Sequence, residues 1–127
     1  MTRSRSSAKG AGTKFERGIA DHLAAALRDD RIDRRPKTGA KDSGDIAGVR
    51  HMGGRLVIEC KEYGGRLLPA AWTAEAEVER GNDDALAGLV IAKRKGTTEP
   101  GRQWVLMTVD ELVALLTGAR PDEGDEE

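Results

Sequence analysis

The chain is poor in the features that mark secreted, membrane and zinc proteins. It has a single cysteine in 127 residues, so no internal disulfide can form and a reducing, cytoplasmic setting is expected. No apolar run approaches the ~18 residues of a membrane span, and the arginine-rich start lacks the apolar stretch of a secretory signal. Two histidines beside one cysteine give no zinc pattern. A phosphate-cradling loop ending in Gly-Lys-Ser/Thr and a Gly-x-Ser-x-Gly elbow are both missing, which sets aside nucleotide hydrolases, esterases and a nucleotide cofactor. Aromatics are only 3% of the residues, so the core must be aliphatic and alanine-rich.

Charge is abundant, at 34% of the chain, and unevenly placed. The eight residues from Arg120, "RPDEGDEE", hold five acids against one arginine, so without them the formal charge of −1 becomes +3. At the other end Arg3, Arg5, Lys9 and Lys14 stand among small residues with no acid. Composition therefore predicts a disordered basic arm over 1–12, one mildly basic domain over 13–118, and a disordered acidic tail over 119–127.

Within the domain the apolar spacing of Phe15, Ile19, Leu23, Ala26 and Leu27 predicts a helix from Thr13 to about Arg28, with Thr13 and Glu16 in the form of a capping box. Residues 31–37 read as a short polar strand stopped by Pro36, and "TGAKDSG" as a loop. Asp45 to Arg50 and Arg55 to Lys61 read as a hairpin turning at Gly53-Gly54. Pro69 opens a helix running to Gly81; "LAGLVIA", 86–92, fits a strand buried on both faces; Gln103 to Met107 is a further strand. Thr108 and Glu111 form a second capping box, opening a helix that closes at Gly118 with Leu112, Val113, Leu115 and Leu116 inward. The order argues for an α/β fold, a mixed central sheet flanked by helices.

The chemistry sits in "GDIAGVRHMGGRLVIECKEYGG", residues 44–65. Side chains alternate along a strand, so Glu59 and Lys61 emerge on one face while Cys60 turns to the core. An exposed ion pair at that spacing is worth at most ~1 kcal/mol. Asp45, at the same end of the neighbouring hairpin strand, changes the reading: two carboxylates suit a Mg²⁺ ion, and Lys61 can offset charge on a phosphoryl group.

Gly44-Asp45 followed by Glu59-Cys60-Lys61, after a helix carrying Glu16, resembles the PD-(D/E)xK nuclease superfamily. The arginine-rich strand before "KDSGDIAG" and the "VIAKRKG" after the second helix are most similar to Holliday junction resolvases of the phage type. The resemblance covers residues 13 to about 95 and departs from the motif at Gly44, where the superfamily's name has proline. It implies a restriction-endonuclease-like core, αβββαβ plus a C-terminal strand and helix. It further implies Asp45 and Glu59 as metal-binding acids, Lys61 as the motif lysine, and Glu16 as the first-helix acid completing the site. Asp42 is a competitor to Asp45.

The implied activity is a Mg²⁺-dependent, structure-specific endonuclease cutting branched or duplex DNA with a metal-activated water, with Mn²⁺ able to substitute. Its setting would be the host cytoplasm if the chain is phage-encoded. Cutting a symmetric junction implies a homodimer, for which the apolar C-terminal helix is a candidate interface. Arg34, Arg35, Lys37, Lys41, Lys93, Arg94 and Lys95 are the expected phosphate contacts. A nicking or restriction-like nuclease, an exonuclease and a non-catalytic DNA-binding protein are the alternatives. Cys60, Trp72 and Trp104 are expected in the core, His22 and His51 at the surface, and Tyr63 near the motif without a required role.

Overall fold

The structure, a computed structural model, describes residues 5–36 and 43–120, with side chains from residue 7 onward. Lys37, Lys41, Asp42 and the acidic residues after Arg120 lie outside the described residues. Among those described, three helices and six strands alternate as α1 (Arg5–Ala26), β1 (Asp33–Arg34), β2 (Ile46–Ala47), β3 (Arg50–His51), β4 (Gly54–Lys61), α2 (Pro69–Asp83), β5 (Ala87–Ala92), β6 (Trp104–Leu106) and α3 (Val109–Thr117). The sheet runs β1-β2-β4-β5-β6, with β3 also on β4. β4 and β5 are parallel and the other pairs antiparallel, so the fold is α/β with a mixed sheet.

Long apolar runs become the centre. β5 is buried at every position, and its parallel partner β4 is buried from Leu56 to Cys60. One face packs Ile58, Cys60, Leu89 and Ile91 against Ile19 and Ala20 of α1 and Ala114 of α3. The other packs Val90 and Ala92 against Trp72 and Ala76 of α2. Truncating Trp72 to Ala would remove about 3–5 kcal/mol. α2 comes very close to the sheet because Gly88 stands beneath it: a Cβ there would lie 2.8 Å from the Ala76 carbonyl oxygen. That approach places the acids of α2 over β4.

Several expectations are corrected. α1 begins at Arg5, so residues 5–12 are helical rather than a disordered arm, and Thr13 lies inside the helix rather than capping it. The 45–50 strand is split into β2 and β3 at Gly48-Val49, and its turn is Met52-Gly53, both at positive φ, the two-residue form that matches strand twist. α2 continues past Gly81 to Asp83, with Asp84 left-handed at its end. The capping box on α3 does not form: Thr108 makes no side-chain cap hydrogen bond, and Glu111 turns inward to Gly88 and Arg120. Leu112, Val113 and Leu116 face outward with Val109, leaving Ala114 and Leu115 to the core. Trp104 is 42% exposed on the edge strand, whereas Arg120, assigned to the tail, is buried. No helix among the described residues is long and apolar enough to cross a membrane.

Candidate active site

β4 carries Glu59 and Lys61 at its C-terminal end, where β2 has stopped pairing with it. Asp45 is fixed there by its backbone: its N–H donates to Ile58 O at 2.8 Å and its carbonyl accepts from Arg35 N at 2.7 Å. Its carboxylate Oδ2 accepts from the Cys60 N–H at 2.8 Å and is carried by a residue only 3% exposed. The turn into Asp45 requires glycine and excludes proline. Gly44 has φ +96°, and a Cβ there would meet Val57 Cγ1 at 3.0 Å, while proline is locked near −65°.

Glu59 lies one strand position beyond the Ile46–Ile58 pair, so it shares this sheet end with Asp45. Its Oε2 is 3.3 Å from Lys61 Nζ, and no N–H or hydroxyl donor reaches its buried Oε1. Burial, then a side-chain hydrogen bond with Glu79 and the charge of Asp45, push its carboxyl up to about 10, with Lys61 opposing only in part. Lys61 Nζ donates to Glu75 Oε1 at 2.8 Å. Burial works against the ammonium, but Glu75 and Glu59 outweigh it and hold Lys61 above its ordinary range. Cys60 is buried between these positions, its thiol raised by burial and the surrounding carboxylates.

Glu16 reaches the same place from α1, and Arg34 Nη2 and Nε hold its Oε1 at 3.0 and 3.2 Å. Glu16, Asp45, Glu59 and Lys61 thus all line one open cleft of about 790 Å³, together with Lys9 and Arg66. Tyr63, also on the cleft, packs its ring 5.1 Å from Trp72.

The expected phosphate contacts fare differently. Arg34 is taken up by Glu16, and Arg35 Nη2 lies 3.7 Å from Asp83. Lys93 Nζ donates to the carbonyls of Arg94 and Thr97 at 2.5 and 2.6 Å, closing the loop after β5. Arg94 stacks 4.5 Å over Trp104. Lys95 stays exposed beside Gly65, in the loop that borders the cleft. His22 and His51 are at the surface, as their positions suggested.

Sequence reasoning missed Glu75 and Glu79. Each of Glu59, Glu75 and Glu79 brings one carboxylate oxygen within 4.8 Å of the others. A signal was present: Glu79 falls on the stripe Trp72, Ala76, Glu79, Arg80 that α2 buries, and an acid on a buried stripe needs a partner. Hard oxygen donors, one of them orphaned and buried, fit a hard divalent cation. Scans against protein-family models, curated proteins and solved structures return no match to the chain.

Proposed function

We propose that the chain is a Mg²⁺-dependent, structure-specific endonuclease of the PD-(D/E)xK type, acting on branched DNA as a Holliday junction resolvase does. The observation that carries this reading is the convergence of Asp45, Glu59, Lys61 and Glu16 on one open cleft, with Glu59 Oε1 buried and unmatched. The chain order supports it too, since a helix, antiparallel strands, a crossover helix and a parallel strand lead into and out of the site. Asp45 and Glu59 would hold the cation, which supplies Lewis-acid polarisation of a phosphodiester and of water at neutral pH.

The chain's own groups do the rest. Lys61, kept charged by Glu75 and Glu59, offsets negative charge on phosphoryl oxygens. Glu16 is held by Arg34, so its role is to anchor that arginine at the cleft wall and to add negative potential behind Cys60. With four of the expected cations engaged inside the protein, DNA backbone contact falls, among the described residues, to Lys9, Arg66 and Lys95, which are exposed at or beside the cleft. Paired cuts across a symmetric junction need a second copy of the chain.

The test incubates the protein with four-way, forked and linear duplexes in Mg²⁺ or chelator. Symmetric nicks in the four-way substrate alone are expected; equal digestion of linear DNA would replace resolution by general nuclease activity. Asp45→Asn should lower cutting at least ~100-fold, as removal of a group acting on transition-state charge does, with DNA binding nearly unchanged. Lys61→Ala should lower cutting as well. Four-way DNA held in chelator and never cut in Mg²⁺ would leave a binding protein.

A further inference from the structure

The outward turn of Leu112, Val113 and Leu116 leaves an apolar flank open to solvent. Along the side of β5 away from β4, two elements follow one another: β6 pairs with Val90 to Ala92, and α3 takes over where Glu111 accepts from the Gly88 N–H. Trp104, Val105, Val109, Leu112, Val113 and Leu116 of this flank are between 38 and 74% exposed. Exposed Met52 extends it past the end of α3, since a Cβ on Gly118 would lie 2.8 Å from its sulfur.

Side chains of this size, so exposed, bare on the order of 500 Å² of apolar surface, at the upper end of what a monomer keeps. That is more than half of the roughly 800 Å² each partner contributes to a stable interface. From Gln103 to Ala119 the only exposed charged residue is Asp110, in a chain that is 34% charged. A face so poor in charge suits neither DNA nor a strongly charged partner. β6 ends the sheet without the charge or proline that usually blunts an edge strand. The stretches outside the described residues, "MTRS", "KTGAKD" and "PDEGDEE", offer only Met1, Ala40 and Pro121 as apolar side chains, too few to cover the flank.

The occupant that fits is the flank itself. On α3 the exposed stripe Val109, Leu112, Val113, Leu116 has the same spacing read from either end. Two copies of α3 running antiparallel about a two-fold axis would set Val109 on the partner's Leu116 and Leu112 on the partner's Val113. Asp110 would face the far half of the partner helix and not its own twin. β6, which precedes α3, would reach the Met52 end of the other flank.

We propose that the flank of β6 and α3 is the surface on which a second copy of this chain docks, with the two α3 helices antiparallel across a two-fold axis. This interface rests on the exposed surface and not on the nuclease reading, which calls for a second copy without placing it.

Sedimentation velocity on the full chain without DNA should show a dimer. Val109→Lys and Leu116→Lys, both at exposed positions, should each weaken association at least about tenfold, with thermal melting verifying that each variant folds. The register is tested by a double variant, Val109→Cys with Leu116→Cys, which should form a disulfide-linked dimer in oxidised glutathione. Neither single cysteine variant should do so, because its twin would lie about 10 Å away along the helix axis. The native Cys60 is buried and does not compete. A monomer at every concentration, or a dimer that neither lysine variant weakens, overturns the interface. Cross-linking by the single variants and not by the double one overturns the antiparallel arrangement. Cleavage is not a readout, so a chain that never cuts DNA would leave this result standing.

Discussion

The parallel strands β4 and β5 bury charge at both ends, and the two ends are built on opposite terms. Near the start of β5, Arg120 Nη1 lies 2.9 Å from Glu111 Oε1 and 3.1 Å from Leu86 O, while Glu111 Oε1 also accepts from Gly88 N at 2.8 Å. The side chains are only 7% and 9% exposed. Arg120 meets Glu111, with the half-exposed Glu77 carboxylate 3.9 Å from its Nη2, and strand backbone satisfies what remains. At the far end of β4, Lys61 meets both Glu59 and Glu75, and Glu79 brings a third carboxylate against Glu59. Balanced buried charge fastens a fold; unbalanced buried charge destabilises it. A carboxyl shifted this far by burial and neighbouring acids makes its surroundings a candidate site.

Breaking the balanced end should give the largest effect on stability. Arg120→Ala leaves Glu111 buried without its cation, and removal of one partner of such a pair costs about 3–5 kcal/mol. In a domain of this size that corresponds to a fall in Tm of roughly 10–30 °C. Calorimetry of the variant checks it, and a fall under a few degrees would place Arg120 among weak surface pairs.

The unbalanced end should respond with the opposite sign. Glu59→Gln removes the group that must hold a proton near neutral pH, so in chelator the variant should be more stable than the parent by about 1–3 kcal/mol. The sign with pH follows from a carboxyl raised from 4.5 to about 10. The folded state keeps the proton that the unfolded state gives up, so this contribution is fully present below pH 4.5 and is lost as pH climbs toward 10. Urea titrations across that range should therefore show the parent losing ground to Glu59→Gln by up to about 1.4 kcal/mol per pH unit. Added Mg²⁺ should stabilise the parent and not the variant. Parallel pH curves would refute the burial of an excess charge here.

The two ends were not equally legible in the sequence. Local signals exposed the Glu59 end: strand alternation set Glu59 and Lys61 on one face, and the glycine-bounded hairpin brought Asp45 beside them. The element order of the α/β fold also followed from apolar runs and from Gly and Pro. What escaped is what depends on contacts between distant segments. Glu79 reaches Glu59 only because Gly88 lets α2 settle onto the sheet. Arg34 looked like a phosphate ligand because nothing in the sequence announced that Glu16, eighteen residues earlier, would take it. Likewise the arm over 5–12 was read from composition, whereas those residues continue α1 toward its start at Arg5.

The smallest effect belongs to Thr108. Its sequence context, with Glu111 three residues on, is that of a reciprocal cap, for which replacement by Ala would cost ~1 kcal/mol. In the fold the tertiary demand wins: Glu111 gives its Oε1 to Gly88 N and Arg120, leaving no carboxylate to return to the start of α3, and Thr108 makes no cap hydrogen bond. Thr108→Ala should therefore change stability by less than about 0.5 kcal/mol, measured by urea unfolding beside Arg120→Ala. A loss near 1 kcal/mol would show that the cap forms in solution, and with it that Glu111 is shared between α3 and the buried pair rather than committed to the latter.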